Sequence, residues 1–270
     1  MGDRAEKIIL KTPAEIEKMR EAGRVVAQAL AMIGTMTEPG VTTKQLDTAV
    51  EELIIKAGGI PTFKNYPASS PRFPAFPASI CASVNEQVVH GIPSERELRD
   101  GDIISIDVGV HLDGWCGDAA RTFPVGQVGR KVKKLLEVTE SSLMRAIENA
   151  RVGKRLRDVS AAVQKEVESN GMSVVKQFVG HGIGRDMHEP PQIPNYVCGP
   201  RERLEGNFPD RELRAGMVLA IEPMVNLGGS DVLVDRRDGW TVYTKDRTWS
   251  AHFEHSVALT ENGPLILTEL

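Results

Sequence analysis

The sequence predicts an α+β chain made of two related halves, and three observations carry that expectation. Helix pairs occur twice, and displacing the chain by 113 residues lays Gly40 on Gly153, Leu46 on Val159, Val50 on Val163, Ile54 on Val167 and Gly58 on Gly171. Turns and apolar faces therefore stay in step between the halves, which points to a pseudo-twofold arrangement. Runs of β-branched residues follow each pair, as strands require. At 270 residues, with 41% apolar and 26% charged side chains, the chain has an ordinary soluble composition and room for one large domain or two small ones.

The first helix opens on Thr12-Pro13-Ala14-Glu15, a capping box with proline at the first helical position. Ile16, Met19, Val26, Leu30 and Ile33 follow near helical spacing, and Gly34 is the expected stop. Thr42 to Gln45 repeats the box. Leu46, Ala49, Val50, Leu53 and Ile54 then line one face until Gly58-Gly59 ends the helix. Pro61 to Pro77 is expected as loop, because its prolines remove donors that a helix or central strand needs. Ile80 to Val89 reads as one strand, ended by His90-Gly91-Ile92-Pro93. Ile103 to Val110 is a buried strand, turned back at Asp113-Gly114, a strong hairpin signal.

In the second half, Val132 to Asn149 is a helix, and Val159, Ala162, Val163 and Val167 line another that ends at Asn170-Gly171. Ser173 to Val179 is expected as a strand, Gly180 to Gly184 as a glycine-rich turn, and Pro190 to Arg214 as a long polar loop. Met217 to Ile221 is a buried strand. Trp240–Thr244 and Trp249–Leu259 are expected to form a hairpin through Lys245-Asp246-Arg247, and a short strand closes the chain.

Composition excludes several classes. A net charge of −4 does not invite nucleic acid or an anionic membrane surface. No apolar run approaches the roughly 18–20 residues of a membrane span, and the first ten residues lack the core of a secretion signal. Cys81, Cys116 and Cys198 are odd in number and lack CxxC spacing, which argues for a reducing compartment, the cytoplasm by default.

The chemistry lies in misplaced acids. Asp107 interrupts an apolar strand, where carboxylates are depleted. With Asp113-Gly114 as a two-residue turn, Asp118 faces Gly109, on the same side of the strand as Asp107. The two carboxylates become diagonal neighbours, roughly 7–8 Å apart at the backbone. A raised pKa on one, or a cation between them, reconciles that closeness. Glu222 ends the apolar run Val218–Ile221, and Glu254 sits inside a strand. Singly, each has a plain alternative: a salt bridge for Glu222, an exposed edge for Glu254 beside His252 and Ser256. Jointly, with His181 among glycines as a nitrogen donor, they suit a pair of divalent ions and a hydrolytic water. His90 and His188 stand in loops nearby as candidates for substrate contact or proton transfer, and Phe73, Phe76 and Trp240 as candidate pocket walls.

These residues lie in segments that resemble the type I methionine aminopeptidases of the creatinase-like pita-bread family: KTPAEIEKMREAG, CASVNEQVVHGIP, ISIDVGVHLDGWCGDAARTF, VGHGIGRDMHEPPQIPNY, AIEPMV, DGWTVYTKDRTWSAHFEH and VALTENGPLILT. The resemblance spans nearly the whole chain in the family's order. It implies a pita-bread fold: a mainly antiparallel, curved sheet with two helix pairs on its outer face. It also implies a single catalytic domain over residues 1–270, with halves of about 12–125 and 126–270. Two divalent ions (Co, Mn, Fe or Zn) are implied, with Asp107 on one, Asp118 and Glu254 bridging, and His181 with Glu222 on the other. Glu222 would accept a proton from the attacking water, His188 would bond the carbonyl oxygen, and His90 would contact the scissile nitrogen. Phe73, Phe76, Cys81 and Trp240 match methionine-pocket positions, and Asn85 and Ser250 lie near a monovalent-cation site.

The implied activity is removal of initiator methionine from nascent chains with a small second residue, by a cytoplasmic monomer in transient contact with ribosomes. Met187 stands where the family often has an aromatic residue. The loops before Phe76 and from Cys198 to Arg211 are longer than in compact bacterial members. The gap from Glu222 to Glu254 is too short for the type II insertion, and no zinc-finger extension precedes the first helix, which points to the short, bacterial-style form. Two rival readings stand beside it: a proline-directed aminopeptidase P or prolidase, which shares the fold and metal ligands but carries an extra N-terminal domain where only 106 residues precede Asp107 here, and a non-catalytic pita-bread module that binds ribosomes or other proteins, which should have lost ligands that this chain keeps.

Overall fold

The computed structural model describes residues 7–200 and 208–270. Along the first half run α1 (Pro13–Met36), α2 (Thr43–Lys56), β1 (Ile60–Pro61), β2 (Cys81–Val84), β3 (Gln87–Val89), β4 (Ile103–Leu112) and β5 (Trp115–Pro124). The second half has α3 (Arg130–Asn149), α4 (Leu156–Ser169), β6 (Ser173–Val174), β7 (Gly180–Gly182), β8 (Glu189–Ile193), β9 (Val218–Ile221), β10 (Met224–Asn226), β11 (Val232–Val234), β12 (Val242–Thr244), β13 (Ser250–His252), β14 (His255–Thr260) and β15 (Gly263–Ile266). Among the described residues every strand pair is antiparallel.

Local chemistry explains the helices. Thr12 and Thr42 close capping boxes on Glu15 and Gln45, satisfying amides that the first turn leaves without partners. One apolar stripe per helix is buried. Leu46, Val50 and Ile54 of α2 pack with Val26, Ala29 and Ile33 of α1 against Ile104, Ile106 and Val108 of β4. In the second half, Leu135, Val138 and Leu143 of α3 and Val159, Val163 and Val167 of α4 pack with Leu219, Ile221 and Val257. Each fully buried aliphatic side chain contributes about 1.5–3 kcal/mol. The helix pairs therefore cover one face of the strands and leave the other for the site.

Several expectations need correction. Helix α1 runs past Gly34, which is needed for close approach: a Cβ there would lie 3.2 Å from the Phe123 ring. The run Ile80–Val89 is two strands in different sheets, split at Asn85, whose φ of 57° makes a turn. Gly180–Gly182 is strand, not turn, and Ser173–Val179 is strand only at its first two residues. A Cβ on Gly180 would lie 2.5 Å from the Ala220 oxygen, and one on Gly182 would lie 2.3 Å from the Pro190 oxygen, so the glycines let three strands crowd together. The expected loop from Pro190 begins as an edge strand, a position that tolerates proline; its residues 201–207 lie outside those described. Strands β12 and β13 do not pair with each other. Instead β12 joins β3 and β11, and β13 joins β10. The run Trp249–Leu259 breaks at Phe253-Glu254, whose amides donate to Pro223 and Ala120 oxygens across the molecule.

Candidate metal centre and its pocket

The hairpin of β4 and β5 sets the first two acids. Its turn has φ of 48° at Asp113 and 83° at Gly114, the left-handed pair that a tight hairpin needs. Gly109 faces Asp118 and Asp107 faces Ala120, so the two aspartates share a face as diagonal neighbours. On its other edge β4 pairs with β2, which places Cys81 opposite Asp107.

The remaining donors come from the second half. His181 sits in the middle of β7, Glu222 directly follows β9, and the amide of Asn195 bonds the Glu222 carbonyl at 2.9 Å. Glu254 occupies the break between β13 and β14. Two hydrogen bonds fasten that break to β5: the Thr122 hydroxyl donates to the His252 carbonyl at 2.8 Å, and the Glu254 backbone amide donates to the Ala120 carbonyl at 2.8 Å. The break thus swings the Glu254 carboxylate toward Asp118.

Asp118, His181 and Glu254 offer donor atoms within 4.8 Å of one another, and so do Glu222, His252 and Glu254. His181 Nε2 lies 3.6 Å from Asp118 Oδ2 and 3.7 Å from Glu222 Oε1. Its Nδ1–H donates to the Gly182 carbonyl at 2.9 Å, which leaves Nε2 as the free donor. His252, which the sequence reading named only within the plain alternative for Glu254, is buried, with Nε2 3.5 Å from Glu222 Oε2. Its signal was its spacing, two residues from Glu254.

Electrostatics without a cation is unfavourable here. Burial pushes the Asp107 and Glu254 carboxyls well above the usual range, and neighbouring carboxylates push the same way. Burial raises Asp118 too, against the opposing pull of His181. For His181 burial works against the cation, but Asp118 and Glu222 outweigh it and raise the imidazole. Asp107 Oδ1, Asp118 Oδ1 and Glu254 Oε1 are buried without a hydrogen-bond partner. Unpartnered buried anions cost several kcal/mol each, and a divalent cation removes that cost. Four carboxylates and one imidazole are a donor set for such ions, so the residues fit the group.

Above these acids lies a cavity of about 310 Å³, lined by all five donors and walled by Phe63, Tyr66, Phe76, Cys81, Phe178 and Trp240. Phe76 and Trp240 meet edge to face at 5.2 Å, and His90 stands between the Phe178 and Trp240 rings at 5.5 and 6.3 Å. Burial lowers the His90 pKa to about 4. Partial burial, with the His181 charge, lowers His188 to about 4. Both rings are neutral at pH 7.

Phe73 does not line the cavity. It packs on Gly239, where a Cβ would lie 2.2 Å from its ring. Its place in the wall is taken by Phe63 and Tyr66 of the same loop, and Phe178 completes the wall from just before β7. Met187 is buried in the core beside Trp115 and Ile183. Asn85 and Ser250 meet through backbone, Ser250 N–H donating to the Asn85 carbonyl at 2.9 Å, and the Asn85 side chain bonds Asp102 and the Ile103 amide.

A model of metallopeptidase family M24 matches residues 17–261. Methionine aminopeptidase 1 of Bacillus subtilis is 50% identical over 263 residues, covering 97% of this chain and all of that protein. The crystal structure of a methionine aminopeptidase from Thermotoga maritima superposes with a TM-score of 0.90 at 44% identity, covering 98% of this chain and 100% of that one. The prolidase from Pyrococcus furiosus shares the fold alone, with a TM-score of 0.71 at 22% identity over 97% of this chain and 66% of its own.

Proposed function

The chain belongs to metallopeptidase family M24, and from that premise we propose that it is a methionyl aminopeptidase, which hydrolyses the first peptide bond of nascent chains to release initiator methionine when the second residue is small. The observation that carries this reading is the cluster of unpartnered carboxylate oxygens at the floor of an aromatic-walled cavity. Asp107, Asp118, His181, Glu222 and Glu254 would hold two divalent ions. When bound, such ions supply Lewis acidity and lower the pKa of a water toward neutrality.

The chain's own groups do the rest. Phe63, Tyr66, Phe76 and Trp240 enclose an unbranched apolar side chain and exclude water from it. Glu222, 14% exposed at the cavity, accepts the proton of the attacking water. His188 donates to the carbonyl oxygen where negative charge develops, and His90 holds the scissile nitrogen. The lowered pKa values keep both rings uncharged, so each acts as a hydrogen-bonding group and not as a competing cation.

The same proposal takes residues 12–125 and 126–270 as two halves of a single catalytic domain. It places the protein in the cytoplasm as a monomer in transient contact with ribosomes, with a monovalent cation near Asn85 and Ser250. Among the described residues, no helix is long and apolar enough to cross a membrane. The test is peptide hydrolysis after chelation, with Mn²⁺ or Co²⁺ titrated back. Release of methionine from Met-Ala-Ser, abolished by Asp107→Ala, is expected. Preference for an X-Pro peptide would favour the proline-directed reading, and no hydrolysis with no metal bound would favour a binding module.

A further inference from the structure

The proline-rich loop over the cavity is more ordered than its composition suggests. Asn65 N–H donates to the Phe76 carbonyl at 2.8 Å, Phe76 N–H to Tyr66 at 2.9 Å, and Tyr66 N–H to Phe63 at 2.9 Å. Farther along, the Trp240 indole N–H donates to the Pro74 carbonyl at 3.0 Å. These bonds hold the Tyr66 phenol against His188: its Oη lies 2.8 Å from His188 Nδ1, with the rings edge to face at 5.5 Å.

We infer that Tyr66 is a positioning residue, whose hydroxyl donates to His188 Nδ1 and so fixes that cavity-lining ring with its only N–H on Nε2. The inference rests on the role given to His188 above. A neutral imidazole has one proton and two nitrogens, and the bond at one nitrogen decides what the other offers. With Nδ1 as acceptor, Nε2–H is a donor, which a developing oxyanion requires; with Nδ1–H, Nε2 is a bare acceptor that repels it. Nothing else nearby makes that choice. Glu189 accepts from the Arg185 amide at 2.8 Å and from Lys11 at 2.6 Å, which anchors the backbone beside His188 but not its ring. Tyr66 is the one described hydrogen-bond partner of the ring, whose face packs on His181 with centroids 4.3 Å apart and whose remaining edge lines the cavity, where water satisfies either tautomer. Burial raises the Tyr66 phenol above its ordinary value, so it keeps its proton at neutral pH.

The first test reads the tautomer directly. In zinc-loaded protein labelled with ¹⁵N-histidine, the His188 resonances, assigned by their loss in His188→Ala, should show the pure Nε2–H pattern and drift toward averaged values in Tyr66→Phe. A wild-type Nδ1–H or averaged pattern overturns the inference. The second is a double-variant cycle in manganese-loaded protein on Met-Ala-Ser. Tyr66→Phe should lower kcat on the order of tenfold, the worth of one ordinary hydrogen bond, with KM within about twofold of wild type. In the His188→Ala background the same change should have no further effect. Additive losses, or a loss confined to KM, would assign Tyr66 to the pocket wall alone and overturn the inference. A His188→Ala enzyme as fast as wild type removes the role of His188 and this inference with it. A wild-type protein that releases no methionine sinks the peptidase reading, while the resonance pattern still decides the Tyr66–His188 bond.

Discussion

The hydroxyl of Ser256 donates to the backbone carbonyl of Asp118 at 2.8 Å and accepts from the Asp118 amide at 3.1 Å, 138 positions along the chain. One serine thus satisfies both backbone groups of an acid from the other half, and fixes where that acid points. Ser256→Ala would leave two buried groups without partners, at a cost of about 1–3 kcal/mol in unfolding free energy. Manganese affinity should fall as well, because Asp118 loses its brace. Urea unfolding and calorimetric titration read the two effects. Lost stability with unchanged affinity would show that the β4–β5 hairpin places Asp118 unaided.

The raised carboxyls give the metal-free protein an inverted dependence on pH. Asp107, Asp118 and Glu254 titrate higher when folded than when unfolded. Their stabilising contribution is therefore full below about pH 4 and lost as pH rises through the raised values. Acids nearer the surface, such as the half-buried Glu51 and the exposed Asp246, are shifted the other way, and theirs is lost only as pH falls below the ordinary carboxylate range. Chelated protein should thus lose stability as pH rises above about 6.5, beyond the opposing gain that the lowered His90, His188 and His255 give below that pH. Manganese-loaded protein should gain it, because the ion needs deprotonated ligands. Parallel melting curves across that range, with and without Mn²⁺, would refute the account.

Gly182→Ala tests the crowding around His181. Its Cβ would meet the Pro190 oxygen at 2.3 Å and force β7 from β8, at about 1–3 kcal/mol. Methionine release should fall more than stability does, since His181 moves with the strand. Gly129→Ala, where no atom lies within 4 Å of the new Cβ, should stay within about 0.5 kcal/mol of wild type. Comparable losses in both variants would dismiss the crowding argument.

Phe76 and Phe73 are only three residues apart, yet their truncations should differ. Phe76 is 2% exposed and walls the cavity, so Phe76→Ala should cost about 3 kcal/mol and raise KM for Met-Ala-Ser. Phe73→Ala should leave KM near wild type, because that ring lies on Gly239. Equal KM changes would return Phe73 to the pocket.

Much of this was legible in the order of residues. Capping boxes at Thr12 and Thr42 mark helix starts because the chemistry of a first turn is local. Asp113-Gly114 determined the hairpin register, and with it the facing of Gly109 and Asp118, because a two-residue turn leaves only one pairing. Asp107, Glu222 and Glu254 stood out because carboxylates in apolar runs need a compensating partner.

Other features depended on contacts between distant segments. The glycines at 180 and 182 read as a turn, since glycine permits both a bend and a close approach, and only the oxygens of Ala220 and Pro190 show which was needed. The break at Glu254 is made by amides bonding to Pro223 and Ala120, which no local pattern announces. Phe63, Tyr66 and Phe178 line the cavity in place of Phe73 because a loop's side chains are aimed by what holds its ends. Residue order alone settled which groups are chemically out of place, since propensity and periodicity are local properties. Tertiary structure settled where they converge, because direction in a strand break or a loop is set by hydrogen bonds to the far half of the chain.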